Sequence, residues 1–288
     1  MAEKLQTISE IRRLLAGMFG DRWHAGEAAA IVTLIIGEHT GMSGARQLAY
    51  STETLPSEKS SVIIAAARRA ASGEPLQYIL GHTLFCGHRI MVEPGVLIPR
   101  PETEEMTTMI ITENPGFTGI VTDLCTGSGC IAVSIAAAFP QAKVYATDNS
   151  EKALAVAARN NTDNGTSVKL FRSDILTAQA SGFPPCNIIV SNPPYVRLSE
   201  KAMMRPNVLD HEPPEALFVR DDDPLVFYRR IAAISASCLS VKGNIYLEIN
   251  EALGRETAEL FEEYGFSDIT VTEDINGKKR FLKASKNG

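Results

Sequence analysis

The stretch "VTDLCTGSGCIAVSIA", Val121 to Ala136, changes character twice. It opens as an apolar run carrying Asp123, turns through Gly127 and Gly129, and continues as a small-residue apolar helix. Strand, glycine turn, helix is the order of an α/β unit, in which ligands sit beyond the carboxyl ends of the strands. Glycine lets a backbone turn tightly and approach a ligand because no Cβ stands in the way. A phosphate loop would read GxxxxGK[ST], and that pattern is absent. A dinucleotide turn would want a third glycine where Ala132 stands, although some such turns accept alanine.

The pattern repeats outward from this stretch. "GIVTDL", "KVYATD", "VKLFRS", "CNIIVS" and "GNIYLEI" read as strands. Between them "GCIAVSIAAAF", "EKALAVAARNNTDN" and "PLVFYRRIAAISASCLS" read as helices. Such alternation predicts an α/β, Rossmann-like domain with a mostly parallel sheet covered on both faces. "FSDITVTED" and "KKRFLKA" add a terminal hairpin through "NGK".

Three segments are expected. Residues 1–75 form a small all-α domain without strands. "TISEIRRLLAGMF" has Thr7 or Ser9 as N-cap and places Ile11, Leu14, Leu15 and Met18 at helical spacing. "HAGEAAAIVTLIIGEHTG" stops near Gly41, and "SEKSSVIIAAARRAASG" has Ser57 as a candidate cap and Gly73 as a stop. Residues 76–98 carry hairpin chemistry around Gly81, Gly87 and Gly95 and are read as a β-hairpin linker. Residues 99–288 hold the α/β domain, entered through helical "RPETEEMTTMIITE".

The 288 residues are 44% hydrophobic and 22% charged, enough for a sizeable core, and the net charge is −6. A nucleic-acid binder usually shows a basic face, so this balance argues against a duplex as main partner. The five cysteines are odd in number and lack CxxC spacing, which predicts small reduced thiols rather than disulfides or a metal site. "MAEKLQTISEIRRLL" is charged and amphipathic, unlike a secretory leader. No stretch approaches the roughly 20 apolar residues of a membrane span. These features read as a cytoplasmic chain.

Two more strand ends carry carboxylates. "KVYATD" ends on Asp148, about 20 residues after the glycines, where a carboxylate can accept both hydroxyls of a ribose. "VKLFRS" leads to Asp174, which suits an adenine amino group. Each aspartate alone fits a turn or cap. Together with "GSG" they describe a nucleoside site without a phosphate requirement. That favours S-adenosylmethionine over a nicotinamide dinucleotide.

"SNPPYVRL" follows the fourth strand. An amide or amino nitrogen to be methylated has its lone pair delocalised and must be oriented. The Asn192 side-chain oxygen and the Pro193 carbonyl can hold its two N–H bonds at about 2.9–3.0 Å. Pro193 confines Asn192 to extended backbone and Pro194 does the same to Pro193, so the carbonyl direction is preset. Tyr195 offers a flat face for a planar group. No strong general base is required, because the nitrogen can lose its proton after transfer.

"DLCTGSG", Asp148 and "NPPY" together resemble the class I S-adenosylmethionine-dependent methyltransferases that act on planar nitrogens. "GEPLQYILGHTLFCGHRIMVEPGVLIPRPETEE", "NPPYV" and "HEPPEAL" resemble the release-factor glutamine methyltransferases over nearly the whole chain. The resemblance implies a seven-stranded class I methyltransferase sheet whose last strand inserts antiparallel. It implies methylation of the glutamine amide in the Gly-Gly-Gln motif of class I peptide chain release factors, yielding S-adenosylhomocysteine. It implies donor contacts at Asp123, at Cys125, Thr126, Gly127, Ser128 and Gly129, at Asp148 and Asn149, at Asp174 and Ile175, and at Asn192. "PRPET" is expected to bring Arg100 and Thr103 to the methionine part, with Arg100 on its carboxylate; without the resemblance, an ion pair with Glu102 or Glu104 serves equally. Asn192, Pro193, Pro194 and Tyr195 are expected on the acceptor. A monomer without metal, membrane or nucleic-acid contact is expected. Three places depart from the family, one of them "RDDDPLVFYRRI", which lacks the usual glycine and whose Asp221–Asp223 run reads as a solvated turn. Cys125 stands at a usual glycine, where a positive φ would be strained. Ile175 stands where an aromatic is common.

Rival readings remain. A ribosomal-protein glutamine methyltransferase shares the donor site and "NPPY" but generally lacks "PRPET". A nucleic-acid adenine or guanine amino methyltransferase could stack a flipped base on Tyr195. A docking protein without turnover has no need of "NPPY". The helical domain is either a packing module or the part that recognises a release factor away from its glutamine, with Arg12/Arg13 and Arg68/Arg69 as candidate faces.

Overall fold

The computed structural model describes residues 6–20 and 23–287, so the first residues of the charged N-terminal stretch lie outside it. Contacts divide the chain into two units. One runs to Gly81 and includes Pro206–His211; the other holds His82–Arg205 and the chain from Glu212 onward.

The first unit carries β1 (Gln6–Thr7), α1 (Ile8–Phe19), α2 (Ala25–Thr40), α3 (Gly44–Ala49), β2 (Thr54–Leu55), α4 (Ser57–Ala71) and α5 (Leu76–Leu80). Thr7 caps α1: its hydroxyl takes the Glu10 amide at 3.2 Å while the Glu10 carboxylate takes the Thr7 amide at 2.8 Å. This reciprocal box satisfies two of the orphan amides of the first turn. The inward face is Ile8, Ile11, Leu15 and Phe19, whereas Leu14 is exposed. Pro56, not Ser57, occupies the cap position of α4, and no side chain caps it. β1 and β2 pair antiparallel over two residues, too short to leave a sequence period. Leu76–Leu80 is helix rather than hairpin: Tyr78 is buried and Gly81 closes the turn in the left-handed region. Arg12 is not an open charged face. It donates to Gln47 Oε1 at 2.7 Å, and Gln47 in turn donates to the Thr33 and Met42 carbonyls. Arg69 is likewise paired with Glu74.

The hairpin β3 (His82–Phe85) and β4 (His88–Met91) opens the second unit. There follow α6 (Pro101–Glu113), β5 (Ile120–Leu124), α7 (Cys130–Ala138), β6 (Lys143–Asp148), α8 (Glu151–Asp163), β7 (Val168–Arg172), β8 (Cys186–Ser191) and β9 (Val196–Arg197). After α9 (Pro206–His211), which groups with the first unit, come β10 (Phe218–Val219), α10 (Val226–Cys238), β11 (Leu239–Glu248), α11 (Gly254–Glu263), β12 (Phe266–Glu273) and β13 (Lys279–Lys286).

Seven strands form one sheet in the order β12-β13-β11-β8-β5-β6-β7. β13 runs antiparallel between β11 and β12, while β11, β8, β5, β6 and β7 are parallel. Central strands covered on both faces read as continuous apolar runs. Ile188, Ile189, Val190, Ile245 and Leu247 are accordingly buried. β11 starts at Leu239, earlier than "GNIYLEI", because a register break between Leu239 and Asn244 interrupts its pairing with β8. Such bulges add residues without periodicity.

The chain moves from β5 to β6 and β7 on one side, then returns to β8 on the other. β5 and β8 therefore flank the point where strand order reverses, the usual place for a ligand in open α/β sheets. Leu124 and Ser191 are register partners. Ser191 Oγ also donates to the Leu124 carbonyl at 2.6 Å, so the two strand exits are locked side by side.

Candidate active site

The loop after β5 bends through three positive φ values: Cys125 at 60°, Gly127 at 54° and Gly129 at 80°. Cys125 thus holds a conformation that disfavours a side chain. Burial pushes its thiol well above the ordinary pKa, aided by the charges of Asp148 and Asp123. Thr126 ties the loop down: its amide donates to the Thr147 carbonyl at 2.9 Å and its hydroxyl to Asp123 Oδ2 at 2.5 Å. Asp123 is fully buried, and that burial raises its pKa to about 7.

The two glycines do different jobs. A Cβ on Gly129 would lie 2.9 Å from the Ala157 Cβ, so Gly129 lets α8 pack against the loop. A Cβ on Gly127 would meet no protein atom within 4 Å. Only Gly127 keeps a loop face open towards the cavity that it lines.

Asp148 closes the next strand. Its Oδ2 takes the Gly127 amide and its Oδ1 the Ser150 amide, both at 2.9 Å. A carboxylate has about four acceptor positions, so two remain. Burial raises its pKa above the ordinary value. Asp174 Oδ1 takes the Leu176 amide at 2.9 Å and heads the turn after β7. Both aspartates face one cavity of about 700 Å³, part of it open to solvent. Apolar walls come from Val96, Leu97, Ile175 and Phe227, and the carboxylates of Asp148, Asp174 and Glu215 also line it. No Lys, Arg or His is among its lining residues. An adenosyl sulfonium fits this donor set; a polyphosphate does not.

Across the switch point stands the turn after β8. Pro193 and Pro194 are buried, and Asn192 and Pro194 line the same cavity. Asn192 Nδ2 donates to Thr103 Oγ1 at 2.9 Å, and Thr103 donates to Glu248 Oε2 at 2.6 Å. Tyr195 Oη donates to Glu248 Oε1 at 2.7 Å, and Asn250 Nδ2 donates to the Tyr195 carbonyl at 3.0 Å. Burial, and then the Glu248 charge, pushes the Tyr195 phenol far above its ordinary pKa, so it stays protonated. Among the described residues, no hydrogen bond ends on Asn192 Oδ1 or on the Pro193 carbonyl.

Of the residues singled out in the sequence, Cys125, Gly127, Asp148, Asn149, Asp174 and Ile175 meet around this cavity with Asn192 and Pro194. Asp123, Thr126, Ser128 and Gly129 are buried behind it and shape the loop. Thr103 is buried against Glu248, and Pro193 and Tyr195 sit beside the cavity without lining it. Arg100 pairs with Glu212 at 2.7 Å, rather than with Glu102 or Glu104. Sequence reading missed Glu248, Glu212, Phe227 and the wall at Gly95–Leu97. An acid closing the apolar strand "IYLEI" was the available signal for Glu248.

Residues 99–211 match the methyltransferase small domain, and residues 24–81 match the PrmC N-terminal domain. The release factor glutamine methyltransferase of Bacteroides thetaiotaomicron is 47% identical over 218 residues, covering 76% of this chain and 78% of that protein. The chain belongs to the release factor glutamine methyltransferase family. The Enterococcus faecalis member of the family is 32% identical over 260 residues, 90% of this chain and 93% of its own length. Among solved structures, a methyltransferase from Pyrococcus furiosus matches with TM-score 0.53 at 18% identity, over 81% of this chain and all (100%) of that one. The T. thermophilus 16S rRNA N2 G1207 methyltransferase matches at TM-score 0.54 and 17% identity, over 72% of this chain and 50% of that one. These distant likenesses confirm the Rossmann-like methyltransferase fold of the family.

Proposed function

We propose that this enzyme methylates the side-chain amide nitrogen of the glutamine in the Gly-Gly-Gln motif of peptide chain release factors, using S-adenosylmethionine. Asp148, with two acceptor positions to spare, suits the ribose hydroxyls. Asp174 and Ile175 suit the adenine, and the open face at Gly127 gives the donor room against the backbone. When bound, the donor supplies an electrophilic methyl carbon on a sulfonium centre, whose positive charge the acidic, cation-free cavity favours.

The acceptor side carries the reading. Among the described residues, Asn192 Oδ1 and the Pro193 carbonyl take no hydrogen bond, and the residues on either side of that carbonyl's proline, Asn192 and Pro194, line the cavity. A primary amide has two N–H bonds to give these two oxygens. Accepting both fixes the plane of the glutamine amide, and holding a reacting group in one orientation removes much of the entropic barrier. The buried prolines keep the carbonyl from turning away, so the dipole needs no reorganisation. Tyr195, neutral and tied to Glu248, is the candidate flat face for the planar amide.

The helical unit is assigned to recognition of the release factor away from its glutamine, because a Gly-Gly-Gln tip is too small to specify one protein. Such a substrate is met in the cytoplasm. Incubation with labelled S-adenosylmethionine and separate samples of release factors, ribosomal proteins, RNA and DNA tests the assignment. Label is expected in release factors; label confined to nucleic acid or to a ribosomal protein overturns it.

A further inference from the structure

Glu248 closes β11 and is 1% exposed. A buried carboxylate is costly unless its oxygens find donors. Here each oxygen has one: the Thr103 hydroxyl at 2.6 Å and the Tyr195 phenol at 2.7 Å. An ionised carboxylate only accepts, so both bonds run towards it. Thr103 has a single hydroxyl proton, and Glu248 takes it. The 2.9 Å contact between Thr103 Oγ1 and the Asn192 side chain can then only be donated by Asn192. Oxygen and nitrogen of an amide are distinguished by their partners rather than by their shape. The carboxylate therefore decides which end of Asn192 is tied back and which is left for the substrate.

Three separate elements meet in this chain. Thr103 comes from α6, Glu248 from β11, and Asn192 and Tyr195 from the turn after β8. The Arg280 guanidinium lies over the Tyr195 ring, 5.9 Å from its centre.

We propose that Glu248 is the positioning residue of the acceptor site, presetting the Asn192 amide through Thr103 and the Tyr195 ring directly. The proposal rests on the methylation reading above and names what orients its two acceptors.

Three variants test it on the full chain. Thr103→Val removes the link to Asn192 and leaves the Tyr195 contact. Glu248→Gln replaces one acceptor oxygen with a donor. Thr103→Ser keeps the hydroxyl. With a release factor as substrate, kcat is expected to fall about 10- to 100-fold in Thr103→Val and Glu248→Gln, the scale of a small misplacement. Affinity for S-adenosylmethionine by calorimetry stays within about twofold, and Thr103→Ser recovers kcat to within about threefold of the parent. Independently of activity, the Asn192 side-chain NH₂ pair, assigned by its loss in Asn192→Asp, shifts in nitrogen–proton NMR spectra of Thr103→Val but not of Thr103→Ser. An unshifted pair in Thr103→Val, parental kcat in that variant, or donor affinity falling in step with kcat overturns the proposal. A parent enzyme inactive on release factors counts instead against the acceptor assignment, and the NMR comparison still judges the relay.

Discussion

Arg100 Nη2 stands 2.7 Å from Glu212 Oε1, and Glu212 Oε2 takes the Ile98 amide at 3.2 Å. This joins "LIPRPETEE" to "HEPPEAL", two stretches far apart in sequence whose neighbours Leu97 and Pro213 both line the cavity. The Glu212 side chain is 1% exposed, so Arg100 offsets a charge that water does not reach. Arg100→Ala should cost about 1–3 kcal/mol of stability, the scale for orphaning a buried polar partner. It should also weaken donor binding by loosening two walls. Urea unfolding and calorimetry check both. Parental stability with lost donor affinity would instead mean that Arg100 serves the donor directly.

The glycines of the β5 loop separate stability from binding. Gly129→Ala adds a contact of 2.9 Å to Ala157 at a φ of 80°. Overpacking and left-handed strain should together cost about 2–5 kcal/mol. Gly127→Ala adds only strain, about 1–2 kcal/mol. Its methyl group would meet no protein atom within 4 Å and Gly127 lines the cavity, so it should lose donor affinity more than stability. Equal stability losses in the two variants would contradict this division.

Asp123 sets a pH dependence. Its carboxyl rises from 3.8 to about 7 in the folded protein because burial penalises the charge. The folded state then binds the proton more tightly than the unfolded one. The contribution of Asp123 to stability is therefore greatest below pH about 4, falls as pH rises towards about 7, and levels off above that. Asp123→Asn cannot titrate and can still accept from Thr126. Its melting temperature relative to the parent should climb between about pH 4.5 and 7.5, reflecting a penalty on the order of 2–4 kcal/mol. A pH-independent difference would contradict the shift.

Asn192→Ala removes one of the two oxygens awaiting the glutamine amide. It should lower kcat by about 100-fold or more, while donor affinity changes little. Tyr195→Phe should have a smaller effect, since the ring remains and only the bond to Glu248 is lost. Steady-state kinetics with calorimetry separates the two terms. Parallel losses of turnover and donor affinity in Asn192→Ala would contradict an acceptor-orienting role.

The strands and the switch point were legible because parallel strands write continuous apolar runs, and each ends on a residue that stands out from its strand. Asp148 and Asn192 could be placed for that reason. Glu248 could not be given a role, because its partners Thr103 and Tyr195 are remote in sequence. The pairing of Arg100 with Glu212 was hidden in the same way: Glu102 and Glu104 were the nearer acids. Gly127 and Gly129 look alike in sequence, and only Ala157 tells them apart. Leu14 fits the helical spacing of α1 yet faces solvent, since one helix face is wide enough to admit a false member.

The central claim is tested most directly by locating the methyl group on its acceptor. A purified release factor is incubated with this enzyme and S-adenosylmethionine, digested, and sequenced by tandem mass spectrometry. One added methyl on the glutamine side chain of the Gly-Gly-Gln motif is predicted, and none in a release factor whose glutamine is replaced. An unmodified motif glutamine alongside a methylated ribosomal protein or nucleic acid would contradict the account.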